Sequence, residues 1–370
     1  MNGPVMVHRS WLSAPLLPLV ALFGGTACSS TASPGASADG GTSTGSGGDG
    51  SVVDSGMANV GHEVTLVASL GGSTYYFQVD STNAYALLDN NNGSDATSVL
   101  KVPLSGGTPV TLGTDPQYAT AIAVFGSTVY WVDSSGPPID GSTSSDGLIM
   151  SVPTAGGSLT TVASDQGLPE AIAVDATGIY WVNANQCQQP PCPGAVGGIM
   201  MLPPGGTKPV LLASTTTSPQ SIALDATSVY WGTSDGRVMK VAKTGGTVTM
   251  LAYYEASVQS LVVAASGVYW TTGGGDIVQT PLDGGTSTAI VVGTDTIRSL
   301  AADATSLYWI TYGQNFTSTA TTSTVNKISL GGGAPTTLWA GSDSPSAIQV
   351  DATSVYFTTD SGSLMKLTPK

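Results

Sequence analysis

The chain has 370 residues and a formal net charge of −14, with charged residues at 9% and hydrophobic residues at 41%. That is apolar side chain enough for a large core, while the scarcity of lysine and arginine excludes phosphate backbones as partners, because those need clustered cations. The acidic balance suits a cationic partner, bound calcium or a solvated surface, and solubility rests on hydroxyls and 48 glycines rather than on charge.

Residues 1–27 read as an export signal. His8 and Arg9 precede an apolar stretch from Trp11 to Phe23 that is interrupted by Pro15 and Pro18. That stretch is too short to cross a hydrocarbon layer of ~30 Å as a helix. Gly25-Thr26-Ala27-Cys28 resembles the bacterial lipoprotein signal, which implies a lipidated Cys28 and a membrane anchor; Gly25 departs from it where leucine is usual. The same small residues also satisfy ordinary signal cleavage, which would leave a soluble periplasmic or secreted protein.

Residues 28–61 are nearly all Ser, Gly, Ala, Thr and Asp and cannot bury enough apolar surface to order themselves. Such a tether averages ~30 Å end to end and stands a domain, residues 62–370, off a surface.

Beyond the tether one phrase recurs. A copy runs Ser221-Ile-Ala-Leu-Asp225-Ala-Thr-Ser-Val-Tyr230-Trp231, then Val238-Met-Lys-Val241, then Gly245-Gly246 and a further β-type run. Its tyrosine falls at Tyr85, Tyr130, Tyr180, Tyr230, Tyr269, Tyr308 and Tyr356. A period near 44 residues with four strand-like segments per copy predicts a seven-bladed β-propeller of four-stranded antiparallel blades, six or eight blades being the alternatives. The apolar Ile-Ala run is the inner strand. An Asp-Ala-Thr turn follows at Asp175, Asp225, Asp303 and Asp351, where aspartate can accept a backbone N–H two residues on. The Tyr-Trp pairs are expected to wedge neighbouring sheets together.

The last copy stops after its third strand, Leu364 to Leu367, and the missing fourth strand matches Val64 to Ala68. The opening strand should therefore complete the final blade and remove an exposed edge.

At these residues the chain resembles propeller repeats of the low-density-lipoprotein-receptor type, with Tyr130-Trp-Val-Asp133 and Pro281-Leu-Asp-Gly284 nearest their phrases. It is also similar to bacterial propellers related to TolB and to antibiotic-lactone lyases. The resemblance spans about residues 61–370. It implies the fold and little about function, because the fourth-position aspartate becomes Asn183, Thr233, Thr272, Thr311 and Thr359 elsewhere.

In an up-and-down blade the long insertions share one face with the blade-to-blade links, and binding residues concentrate on such loops. That face collects Asp115, Asp133, Asp165, Glu170, Tyr253, Tyr254, Glu255, Asp295 and Asp343 as candidate ligand contacts. A cationic peptide, an envelope protein or a polysaccharide would suit them. Asp89, Asn91 and Asp95 have calcium-like oxygen spacing but lack the distal bidentate glutamate, and no other cofactor is implied. Cys187 and Cys192 form a close pair, expected as a disulfide in an oxidising compartment; a zinc half-site is the rival, without a second pair of ligands.

Catalysis has little to work with. After leader removal the single histidine is His62, which leaves no Ser-His-Asp or Cys-His arrangement and no His-ligated metal. The resembling lyases are expected to use histidine. A carboxylate pair could still serve a hydrolase or lyase on the long-loop face. The domain is expected to act as a monomeric, non-enzymatic scaffold at the outer membrane or cell surface.

Overall fold

The computed structural model describes residues 62–89, 96–115, 119–134, 147–184, 197–293, 295–312 and 322–370. The leader, the tether, Cys28, Asn91, Asp95, Cys187 and Cys192 lie outside the described residues.

Strand β1 (Glu63–Ser69) comes first. Blade 1 holds β2 (Tyr76–Val79), β3 (Asn83–Asp89), β4 (Thr97–Pro103) and β5 (Val110–Asp115). Blade 2 holds β6 (Ala119–Phe125), β7 (Thr128–Asp133), β8 (Gly147–Pro153) and β9 (Thr160–Gln166). Blade 3 holds β10 (Pro169–Asp175), β11 (Gly178–Asn183), β12 (Gly197–Leu202) and β13 (Val210–Thr215). Blade 4 holds β14 (Pro219–Leu224), β15 (Ser228–Thr233), β16 (Arg237–Ala242) and β17 (Thr249–Tyr253). Blade 5 holds β18 (Val258–Ala264), β19 (Gly267–Thr272), β20 (Ile277–Thr280) and β21 (Thr288–Val291). Blade 6 holds β22 (Thr296–Ala302), β23 (Ser306–Tyr312), β24 (Ser323–Ser329) and β25 (Thr336–Gly341). Blade 7 holds β26 (Pro345–Val350), β27 (Val355–Thr359) and β28 (Ser363–Thr368), and β1 is its fourth strand.

The protein is a seven-bladed β-propeller of four-stranded antiparallel sheets. Each inner strand touches the inner strands of both neighbours, from β2 round to β26 and back to β2. The ring closes through β1, whose Val64 and Leu66 face Leu367 and Met365 of β28.

The Tyr-Trp pair is explained by strand pleating. Successive side chains point to opposite faces, so each tyrosine packs towards the following blade and each tryptophan towards the preceding one. Tyr180 of blade 3 shares a core with Trp231 of blade 4, Tyr230 with Trp270, and Tyr269 with Trp309. Nearly all of these rings are fully buried, Tyr130 being the partly exposed one. Where blade 1 carries Ala86 in place of tryptophan, Phe77 sits opposite it in β2 and fills the space.

Every outer strand carries an extra aliphatic residue: Val67, Leu112, Val162, Leu212, Leu251, Ile290 and Leu338, β9 having a second irregularity nearer Gln166. All are aliphatic, and each belongs to a different one of the interblade cores. The bulge drives an apolar side chain inward and bends the exposed edge away from further pairing.

The Gly-Gly turns before the outer strands behave as the sequence suggests. Gly245 (φ 78°) and Gly246 (φ 114°) both adopt positive φ, a region where a side chain would strain the backbone.

Candidate functional site

Antiparallel alternation gives the propeller two unlike ends. One is built from the tight turns between first and second strands and between third and fourth. The other carries the second-to-third-strand loops and the blade-to-blade links.

At the tight-turn end each turn aspartate organises its blade. Asp225 Oδ1 accepts the N–H of Thr227 (2.7 Å) and of Ser228 (2.7 Å), while Oδ2 accepts the Tyr230 hydroxyl (2.7 Å). Asp303–Tyr308 (3.0 Å) and Asp351–Tyr356 (2.9 Å) repeat the couple. Asp80–Tyr85 (2.8 Å) adds a copy in blade 1 that the sequence phrase conceals. Burial raises each of these carboxyls, but the hydrogen bonds outweigh it and hold them below the usual range. The tyrosines move the other way: burial, then the partner aspartate, pushes Tyr85 and Tyr356 up to about 12. In blade 3 the second oxygen of Asp175 is taken by Lys243, and Tyr180 turns to the Thr177 hydroxyl instead (2.8 Å).

Every lysine of the propeller sits at this end. Lys240, Lys327 and Lys366 pair opposite the repeat tyrosines in the third strands and lie over their rings at 5.4, 5.6 and 5.8 Å. Lys101 caps the Thr154 carbonyl of the next blade (2.9 Å), and Lys370 pairs with Asp303 (2.7 Å). Lys208 lies in the β12–β13 turn. These lysines balance Glu63, Asp80, Asp175, Asp225, Asp283, Asp303 and Asp351.

The long-loop end is the opposite. Among the described residues its carboxylates are Asp89, Asp115, Asp133, Asp165, Glu170, Asp235, Glu255, Asp276, Asp295, Asp343 and Asp360, and its cations are Arg237 and Arg298 alone. Both arginines are occupied. Arg237 pairs with Asp235; Arg298 pairs with Asp360 (3.1 Å) and stacks 4.1 Å from the Tyr312 ring.

The residues singled out from sequence separate into four groups. Asp115 and Asp133 are buried, not displayed. Asp115 accepts the Trp131 indole N–H of the next blade at 2.6 Å, a charge-assisted anchor between blades; Gln166 does the same for Trp181 at 3.0 Å. Asp165 lies near the end of β9, at φ 59° beside the Ser164 hydroxyl (2.9 Å), while Asp295 and Asp343 lie on separate links, Asp343 accepting from Ser361 (2.6 Å).

Tyr253 and Glu255 do come together. With Ser234, Asp235, Ala256 and Ser257 they line an open cleft of about 300 Å³ on blade 4, and the exposed Tyr254 follows Tyr253. Gly236 allows the close approach beneath it: a Cβ there would stand 1.7 Å from the Tyr254 carbonyl.

Glu170 stands apart. It is half-buried on the inner strand β10, and burial alone pushes its carboxyl up to about 7.

Inner strands carry a second, polar set of bulges. In the six blades after the first, the register skips at the residue ten positions before the repeat tyrosine: Thr120, Glu170, Gln220, Gln259, Arg298 and Ser346. Each lies near the start of its inner strand, at the long-loop end. The fixed offset of ten was readable in the sequence, but nothing there marked those residues as bulged rather than as ordinary strand.

No family model matches the chain, and no curated protein matches it. Among solved structures, virginiamycin B lyase from Staphylococcus aureus superposes at TM-score 0.64 and 13% identity, over 84% of this chain and 100% of the lyase. A catalytically inactive histidine-to-alanine form of that lyase with quinupristin aligns at TM-score 0.62 and 13% identity, over 84% and 99%. YCF48 from Cyanidioschyzon merolae aligns at TM-score 0.58 and 13% identity, over 82% and 98%. At such identities the likeness is one of fold.

Proposed function

We propose that this chain is an exported, non-catalytic binding propeller, held at the cell envelope through Cys28, whose long-loop end captures a cationic peptide segment of an envelope protein. The observation that carries the reading is the division of charge between the two ends. Lysines are spent on tyrosine rings, turn carbonyls and turn aspartates at one end. Acidic groups with two already-paired arginines occupy the other. A face of one sign concentrates oppositely charged partners and speeds their encounter.

A lyase reading has the fold likeness in its favour. The similar enzyme is inactive once a histidine is replaced, whereas the two histidines of this chain are His8, in the leader, and His62. His62 lies at the tight-turn end, where its Nδ1 meets the Pro369 carbonyl (2.7 Å), so histidine chemistry on the long-loop face is not available.

Fluorescence anisotropy with a labelled tetralysine peptide tests the binding reading. Binding should weaken steeply as salt rises from about 20 to about 300 mM, the screening expected for exposed charges, and the fully acetylated peptide should not bind. Equal binding of the acetylated peptide, or none by either, would refute it. Incubation with quinupristin should leave the compound intact; ring opening would establish the lyase instead. Cys28→Ala should release the protein from membranes, and unchanged membrane association would remove the anchor.

A further inference from the structure

The repeat breaks where the outer strand of blade 4 meets the link to blade 5. Two positions past the outer-strand bulge, the other blades carry Ser69, Thr114, Ser164, Ser214, Val292 and Ala340, none of them aromatic. Blade 4 carries Tyr253 there, and 58% of it is exposed. A ring so placed adds nothing to the interblade cores.

Glu255 departs from the repeat in a second way. Asp115 and Gln166, at the ends of outer strands, accept the indole N–H of Trp131 and Trp181, 16 and 15 residues further on. The residue 15 before Trp270 is Glu255 (270 − 15 = 255), which is a good acceptor when ionised. Yet Trp270 is fully buried, and its Nε1 has no acceptor among the described residues. Glu255 lines the cleft instead, exposed and without a partner of its own. Trp231 also lacks an acceptor, but the matching residues before it are Thr215 and Thr216, whose side chains are short. At Trp270 the suitable carboxylate is present and is spent on the cleft. A buried donor left unserved where the repeat supplies a group for it points to another use of that group.

The cleft has fixed walls. Residues 234–236 are the whole connection between β15 and β16, and Gly236 is tied to the link opposite, its carbonyl accepting the Tyr254 N–H (2.8 Å). Asp235 is held by the Thr233 hydroxyl (2.6 Å) and by Arg237. Arg237 and Asp235 therefore offset each other, and Glu255 is the uncompensated charge of the cleft.

We infer that this cleft seats one cationic side chain of the partner, with the Glu255 carboxylate accepting its charged head and the Tyr253 ring covering its stem. A free carboxylate beside an exposed ring suits such a side chain, because the ring attracts the cation and packs against its methylenes. This assignment rests on the long-loop end being a capture surface for cations. It adds where one charge of the partner is held and by which residues.

Anisotropy of labelled tetralysine on the intact chain, at about 20 mM salt where screening is weak, provides the test. Glu255→Gln should weaken binding about fivefold, the upper end for one exposed ion pair. Tyr253→Ala should weaken it about two- to fivefold, whereas Tyr253→Phe, which keeps the ring, should bind as the wild type does. Glu63→Gln at the opposite end should change nothing. Wild-type affinity in both Glu255→Gln and Tyr253→Ala would overturn the cleft while leaving the capture surface standing. Absence of wild-type binding would remove the capture surface itself. Glu255→Ala should leave the melting temperature and tryptophan emission as they are; a drop of several degrees with shifted emission would put Glu255 on the Trp270 indole and overturn the assignment. Chitohexaose that displaces tetralysine, and whose own binding is lost in Tyr253→Ala but kept in Glu255→Gln, would make the cleft a sugar site and overturn the cation.

Discussion

The two ends of this propeller are made from the same repeat, yet they treat polar groups in opposite ways. At the tight-turn end nearly every polar side chain has a partner fixed by the repeat itself: aspartate to turn N–H groups, aspartate to tyrosine hydroxyl, lysine to tyrosine ring. At the long-loop end acidic groups accumulate, loop lengths vary, and the buried amide oxygens of Asn183 and Gln220 find no donor among the described residues. One end is occupied with holding blades together; the other retains unmet electrostatic demand. Stability and recognition have been assigned to opposite ends of each strand.

Mutations can break this contrast or sharpen it. The largest effect should come from removing β1. Deleting residues through Ser69 strips blade 7 of its fourth strand, with buried Val67 and Ala68, and exposes the edge of β28. Loss of the cooperative thermal transition and of near-ultraviolet dichroism is expected; a stable, sharply melting remnant would refute closure as the source of stability.

Next come the turn couples. Asp225→Ala leaves the turn N–H groups and the Tyr230 hydroxyl without their acceptor and should cost about 2–3 kcal/mol in denaturant unfolding, against about 1 kcal/mol for Tyr230→Phe. A double-mutant cycle should show the two to be coupled; additive losses would mean that the couple is incidental. Because the folded carboxyls sit below their usual range, this stability is fully present above about pH 4. It is lost as pH falls through the folded values, so acid unfolding should begin earlier in Tyr230→Phe.

Glu170 should behave in the reverse sense. Its carboxyl is raised in the folded state to about 7, so the native protein binds the extra proton and stability declines as pH rises from about 4.5 to 7. Glu170→Gln should remove that decline and stabilise the protein at pH 8 by about 1–3 kcal/mol, read as a melting-temperature rise of a few degrees. An unchanged pH profile would mean that the carboxyl is well solvated.

The smallest stability effect belongs to Glu255→Gln, at the exposed cleft, where about ±0.5 kcal/mol is expected. Its tetralysine affinity should nevertheless fall, and more at low salt than at high. Equal stability and equal binding would remove blade 4's cleft from the capture surface.

Much of the architecture was legible before any coordinates. The tyrosine spacing, the Gly-Gly turns and the split final blade specify a closed ring of seven, because a four-stranded sheet with a bulky residue on each face can bury both only between like neighbours. The alternation of strand directions likewise assigns each loop to an end. The tertiary structure alone decided which polar residues lie inside. Asp115 and Asp133 read as surface acids in sequence, but both are buried, and Asp115 serves the Trp131 indole of the next blade. Glu170 gained its character from burial at a bulge of the inner strand β10. Burial and partnership depend on residues a whole blade away in the chain, and a repeat pattern read along one dimension carries no information about them.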